Sequence, residues 1–242
     1  QFLEHGGLKG ARLGVPRKLF GSNKAQEKLI NALLEEMKKQ GAIIVDPAEI
    51  PSDGKFGNNE FQIMLYEFKA GLNAYLANLG PNAPVKSLKE IIEFNEKHRD
   101  KELPWFGQEN MTLAEAKGPL TEQAYLDAVA TCRRLSREGG IDAVMDQHRL
   151  DAIVAPTTGP AHVTDYIYGD RGSGGSTWPA AVSGYPSITV PAAHFHGLPL
   201  GLSFFGRAWS EPKLLRIAYA FEQMSNARKR PGFVPSLHIS EA

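Results

Sequence analysis

Between Gly172 and Gly206 the chain carries no Asp, Glu, Lys or Arg, and an uncharged stretch of that length belongs either in lipid or in a protein interior. Pro179, Pro186, Pro191 and Pro199 interrupt it, together with several glycines. These residues break the continuous apolar helix that a membrane crossing requires, so the stretch reads as buried protein and no membrane partner is expected. Three short apolar runs, Asp151 to Pro156, Ser187 to Pro191 and Leu200 to Phe205, are bounded by Pro and Gly. That pattern predicts buried central strands.

The start of the chain has a different rhythm. Ala11 to Val15 alternates and is β-prone, Gly21 to Asn23 marks a turn, and Lys24 to Gln40 carries Leu29, Ile30, Leu33, Leu34 and Met37 at helical spacing. Asn23 with Gln26 resembles a capping box, Gly41 supplies a stop, and Ala42 to Val45 reads as a second strand. Strand, helix and strand with tight connections predict parallel pairing by a right-handed crossover. A helical middle follows. Asn59 to Leu79 places Phe61, Leu65, Phe68, Leu72, Tyr75, Leu76 and Leu79 on one side; Ser87 to Glu90 and Thr112 to Glu115 have the spacing of capping boxes. Thr121 to Glu138 reads as a helix broken at Gly139-Gly140, with a shorter one to His148, and Glu211 to Arg228 closes the chain with Leu214, Leu215, Ala218, Phe221 and Met224. The fold class expected is α/β, a mixed sheet flanked by helices, in one domain over residues 1–242.

Composition removes several functions. Lys and Arg number 27 against 27 Asp and Glu, so the cationic excess that binds phosphate backbones is missing and no nucleic-acid partner is expected. The single Cys132 excludes an intrachain disulfide framework and fits a reducing, cytoplasmic setting. It shares a helical face with Tyr125 and Val129, which predicts an inert core thiol. No signal-peptide pattern opens the chain. It begins at Gln1 and enters a core-strand pattern within about ten residues, from which an upstream segment is expected.

Local motifs for common chemistries are incomplete. Gly169 to Ser176 has a phosphate-loop outline, but Gly175 stands where Lys is needed. Arg171-Gly-Ser173-Gly-Gly175 fails a nucleophile elbow at its first position. His194 and His196 could face one way on an extended segment, yet no third ligand lies at motif spacing, so no metal and no cofactor are expected. His162 and Asp165 follow a strand end, where a base and its orienting carboxylate could sit. Thr157, Thr158, Ser176, Thr177 and Ser183 bring hydroxyls to strand ends, where open α/β sheets place ligands. The competing role for each is to satisfy backbone groups in a long loop.

Taken in order, Leu8 to Val15, Glu67 to Leu76, Leu150-Asp-Ala-Ile-Val-Ala-Pro-Thr157, Pro179-Ala-Ala-Val-Ser-Gly-Tyr-Pro-Ser-Ile-Thr-Val-Pro191 and Gly197 to Phe204 closely resemble the amidase signature family. The resemblance spans nearly the whole chain and implies the C-terminal half of that fold. Members hydrolyse carboxamides with a Ser nucleophile, a bridging Ser held by a cis peptide, and a Lys base. A neutral Lys in a dry pocket can take a proton relayed through the bridging Ser, so neither His nor metal is required. In the family all three groups precede the segment resembled by Leu8 to Val15, so the resemblance implies no catalytic residue here and an inactive chain.

Gly174-Gly-Ser176-Thr-Trp-Pro-Ala180 echoes the family's nucleophile loop, but the Arg position and spacing differ, and Ser176 is not assigned as nucleophile. The resemblance implies instead that Thr157, Thr158, Ser176, Thr177 and Trp178 border the pocket for a small-molecule amide in the intact enzyme. The amidase-like component of a tRNA-dependent amidotransferase, and a non-enzymatic binding module on the same half-fold, are the alternatives. Missing neighbours would leave strand edges and apolar surface open, so self-association is expected.

Overall fold

Strand β1 (Arg12–Gly14) carries Leu13, which is fully buried, as is Val15 directly beyond the strand. This structure, a computed structural model, describes residues 1–170, 172 and 174–233. The chain divides into two units, Gln1–Asp53 with Leu135–Ala242, and Gly54–Arg134.

In the first unit, helix α1 (Lys24–Lys39) buries Ile30, Leu34 and Met37, the inner part of the expected stripe. Asn23 caps it by accepting from the N–H groups of Ala25 and Gln26, both at 3.1 Å. The reciprocal half of the capping box does not form, because Gln26 is buried and its amide donates to the Thr158 carbonyl at 3.2 Å. At the other end Gly41 N–H bonds Lys38 O and Ala42 N–H bonds Met37 O, the paired closure of a Schellman turn. Strand β2 (Ile43–Val45) then pairs parallel to β1.

The mixed sheet expected from the sequence is present, in the order β2-β1-β3-β5-β4. Strand β3 (Ala152–Pro156) lies parallel to β1 and antiparallel to β5 (Leu198–Phe205), which is antiparallel in turn to β4 (Ser187–Phe195). Helix α9 (Glu211–Ser225) packs on β4 and β5 and buries Leu214, Ile217, Ala218 and Phe221, while Leu215 faces outward. Beyond it Ala227 to Phe233 has no regular structure, and the end of the expected tail lies outside the described residues.

Two expectations fail along the uncharged stretch. Gly172, Gly174, Thr177, Gly184, Ser187 and Thr189 are exposed, so absence of charge reflects small hydroxyl and glycine residues, which need no burial. Strand β4 is also no central strand. It lies at an edge of the described sheet, where Pro191, lacking an N–H, costs no ladder bond on its open side.

Asp151 fastens β3 to β1. Its N–H donates to Arg12 O at 2.8 Å, and its carboxylate accepts from Arg12 N–H at 2.9 Å and Lys213 Nζ at 2.7 Å. Burial raises its proton affinity, but the Arg12 N–H and the Lys213 ammonium outweigh that and hold the carboxyl below the ordinary 3.8. A depressed folded-state value stabilises the fold above the unfolded value and loses that contribution as pH falls through the folded one. Asp151→Ala is therefore expected to cost about 1.5–3 kcal/mol near neutrality. In urea unfolding at a series of pH values, the gap from the parent should be constant above about pH 5 and narrow below pH 4; a gap that widens on acidification would contradict this account.

In the second unit, helix α2 (Gly57–Ala77) and α3 (Leu88–Lys97) join α5 (Glu109–Glu115) around Leu65, Leu88 and Ala114, backed by Phe61, Leu72, Ile92 and Met111. Short helix α4 (Arg99–Glu102) links α3 to α5. Phe68, Tyr75 and Leu79 were expected on the buried side of α2 and are exposed, because the contacting arc is centred on Leu65, Tyr66 and Leu76. Ser87 caps α3 as expected, accepting from Glu90 N–H at 3.2 Å. Thr112 does not cap α5; the helix begins earlier, at Glu109, and the Thr112 hydroxyl bonds back to Gln108 O at 3.3 Å.

Helix α6 (Gln123–Ser136) carries Cys132, which is buried, and burial pushes its thiol pKa up. A raised thiol is a poor nucleophile. Gly139-Gly140 does not break the chain out of helix. Arg137–Ile141 form a π-helical turn that runs directly into α7 (Asp142–His148).

Candidate substrate-binding site

Five hydroxyl-bearing and aromatic positions were expected to border a pocket, and the structure gathers them at the end of β3. Thr157 follows that strand and its N–H bonds Gly201 O at 3.0 Å. Thr158 forms an isolated antiparallel bridge with Gly175, and Ser176 N–H returns to Thr157 O at 3.1 Å. Thr177 and Trp178 open the next helix, α8 (Thr177–Ser183). Strand-end hydrogen bonding thus ties residues about twenty positions apart into one patch, which the Gln26 amide braces from α1 through Thr158 O.

Each side chain there has its own circumstances. Ser176 is 1% exposed and its hydroxyl donates to Pro156 O at 2.8 Å, so its hydrogen is committed to a strand-end carbonyl. Thr158 and Thr177 are exposed. Trp178 is half-buried and packs against the hydrophobic core of the sheet. Ser183 is buried within α8 and donates to Pro179 O at 2.6 Å, so it satisfies backbone rather than facing a ligand.

Two hydroxyls that sequence reading placed only in strands also reach this patch. Thr157 Oγ1 lies 2.7 Å from Ser203 Oγ on β5, and Thr189 Oγ1 on β4 lies 2.8 Å from the same oxygen. Alternation along each strand marks Ser203 and Thr189 as facing one way, but only the register of three strands brings them to Thr157. That register pairs Ala155 with Ser203 and Thr189 with Ser203. None of these hydroxyls bonds a Lys, His or carboxylate among the described residues.

The His162 and Asp165 pairing does not form. His162 Nε2 lies 3.4 Å from Asp170, while Asp165 accepts from the N–H groups of Ile167 and Tyr168, both at 2.9 Å. Those amides hold the Asp165 carboxyl below its ordinary value, Tyr168 contributing most. Both side chains line a cleft of about 270 Å³ with Asn23, Pro160, Ala161, Val163 and Gly169. His194 lies in β4 and His196 in the following turn; no group of three or more His, Cys, Asp or Glu suited to a metal occurs among the described residues. Arg171 and Ser173, part of the glycine-rich motifs, lie outside the described residues. No helix among the described residues is long and apolar enough to cross a membrane.

Comparison with known proteins agrees with the fold. A probable amidase of Arabidopsis thaliana is 35% identical across 97% of this chain and 42% of its own length. The solved peptide amidase of Stenotrophomonas maltophilia is 43% identical, with a TM-score of 0.86 over 96% of this chain and 46% of its own. In Synechococcus, one component of the glutamyl-tRNA(Gln) amidotransferase is 28% identical across 92% of this chain and 44% of its own length. The chain therefore spans less than half the length of each of these relatives. A family model described as Amidase matches residues 3–215, and the chain belongs to the amidase signature family.

Proposed function

We propose that this chain is the C-terminal part of an amidase that hydrolyses carboxamide C–N bonds when complete, with peptide carboxamides as the substrate class. The observation that carries the reading is the 43% identity and 0.86 TM-score to a peptide amidase over nearly the whole chain. The hydroxyls at the end of β3 support a binding rather than covalent role. Ser176 gives its hydrogen to a backbone carbonyl, and no lysine among the described residues lies in hydrogen-bond contact to act as base. The Ser-Ser-Lys machinery then belongs to polypeptide that precedes this segment, while Thr157, Thr158, Ser176, Thr177 and Trp178 form one wall of the substrate pocket. The amidotransferase reading ranks second because the identity on that side is lower, 28%.

Incubating the chain with a fluorophosphonate and weighing it should give no adduct, and peptide amides should release no ammonia. The complete gene product should be labelled once and turn over. Turnover by the chain alone above a Ser176→Ala control would overturn the division of labour. An unlabelled, inactive complete product would overturn the amidase reading itself.

A further inference from the structure

Three hydroxyls converge on one face of the sheet. Besides the two short contacts to Ser203, Thr157 Oγ1 donates to Thr189 Oγ1 at 3.3 Å. A hydroxyl owns one hydrogen and two lone pairs. With Thr157 donating to Thr189, donation from Thr189 to Ser203 and from Ser203 to Thr157 closes a ring. Three hydrogens then serve three contacts and none remains for a ligand. One lone pair per oxygen is left over. Ser203 is 2% exposed, whereas Thr157 is half-buried and Thr189 exposed, so the outward chemistry is two acceptor oxygens side by side.

Gly201 lets the ring form. It lies on β5 between the two threonines, and a Cβ there would stand 2.8 Å from both Thr157 Oγ1 and Thr189 Cγ2. A side chain would drive the hydroxyls apart or cover them. No carboxylate or ammonium bonds the ring among the described residues, so nothing in it selects for a cation. A carbonyl or carboxylate ligand would meet only lone pairs.

We propose that Thr157 and Thr189 together accept the N–H groups of a primary carboxamide, and so orient the nitrogen of the substrate. This rests on the amidase reading for calling that ligand the substrate, and adds Thr189 and Ser203 to the wall described above. Ser203 is a positioning residue, holding the two threonine oxygens from beneath. Selectivity follows from the hydrogen count: an amide bearing N–H donors is held, and one with a fully alkylated nitrogen is not.

The test is an NMR titration of this chain with acetamide, N,N-dimethylacetamide and ammonium chloride, following the methyl signals of Thr157 and Thr189. Acetamide should move both saturably, with at least about five-fold weaker response to the dimethyl compound, the ratio expected for one net hydrogen bond. Thr189→Val, which keeps the shape and β-propensity of an exposed strand residue, should weaken the acetamide response by the same factor. Thr189→Ser should retain it. Equal responses to the two amides, or an undiminished response in Thr189→Val, would overturn the proposal. A stronger response to ammonium would overturn its assignment to the substrate amide in favour of released ammonia. Because binding is read without turnover, a complete gene product that fails to hydrolyse amides would sink the amidase reading and leave this result standing.

Discussion

Phe204→Ala should lower the stability of the sheet-bearing unit by about 3–5 kcal/mol, the range for emptying a buried phenylalanine site. Phe204 is fully buried on β5, paired with Val154 on one side and Ile188 on the other. Its ring meets Phe221 of α9 at 5.4 Å between centroids and 59° between planes, an arrangement favoured by the ring quadrupoles. Truncation therefore removes apolar burial, a ring contact and the surface on which α9 seats. Close-packed neighbours on three strands cannot collapse into the gap without breaking ladder bonds, which keeps the expected cost high in its range. Since domains hold only about 5–15 kcal/mol in total, the alanine variant sits close to the limit of folding. Phe204→Leu, which leaves most of the volume filled, should lose roughly half as much and remain measurable. Ile167→Ala, at an 85% exposed position, should stay within about 0.5 kcal/mol. Urea unfolding followed by circular dichroism reads all three. A Phe204→Leu midpoint equal to that of the parent would show that α9 is not anchored at this ring.

The same residues show what the sequence makes legible. Period-3.6 burial in α1 and the uninterrupted buried run of β3 are readable because each depends on neighbours a few positions away. Asn23 and Ser87 are readable as caps for the same reason. Thr112 misleads because its spacing to Glu115 matches a capping box, although the helix has already started directly after Gln108. The outward turn of Phe68 and Tyr75 is not readable, since a wide apolar arc on α2 does not say which part of it meets α3 and α5. At the site, strand ends and turn residues identify Thr157, Thr158 and Ser176. Thr189 and Ser203 escape because their role depends on the register of β3, β5 and β4, and periodicity within one strand carries no information about a neighbour's register.

Gly175→Ala is the substitution expected to disturb the candidate site most. Gly175 has a φ of 144°, and a Cβ built on it would stand 2.7 Å from Thr157 O and 3.1 Å from Thr158 Cα. Both obstacles are backbone atoms of the strand end that carries the site, so no side-chain rotation relieves them. Strain of this kind costs about 1–3 kcal/mol, or a melting temperature lower by roughly 2–12 °C for a chain of this size. The displacement has a defined direction. Moving residue 175 away from Thr157 loosens the Gly175 N–H bond to Leu19 O at 2.9 Å and the Ser176 N–H bond to Thr157 O, so the amide of Ser176 should exchange with solvent faster than in the parent. If the complete protein hydrolyses peptide amides through the pocket proposed above, a shift of the β3 end by about 1 Å should lower its kcat/KM by around a hundredfold. Gly172→Ala is the matched control: nothing lies within 4 Å of a Cβ there, and its stability and exchange should stay at parental values. Indistinguishable behaviour of the two variants would mean that the approach of Gly175 to Thr157 does not set the geometry of the β3 end.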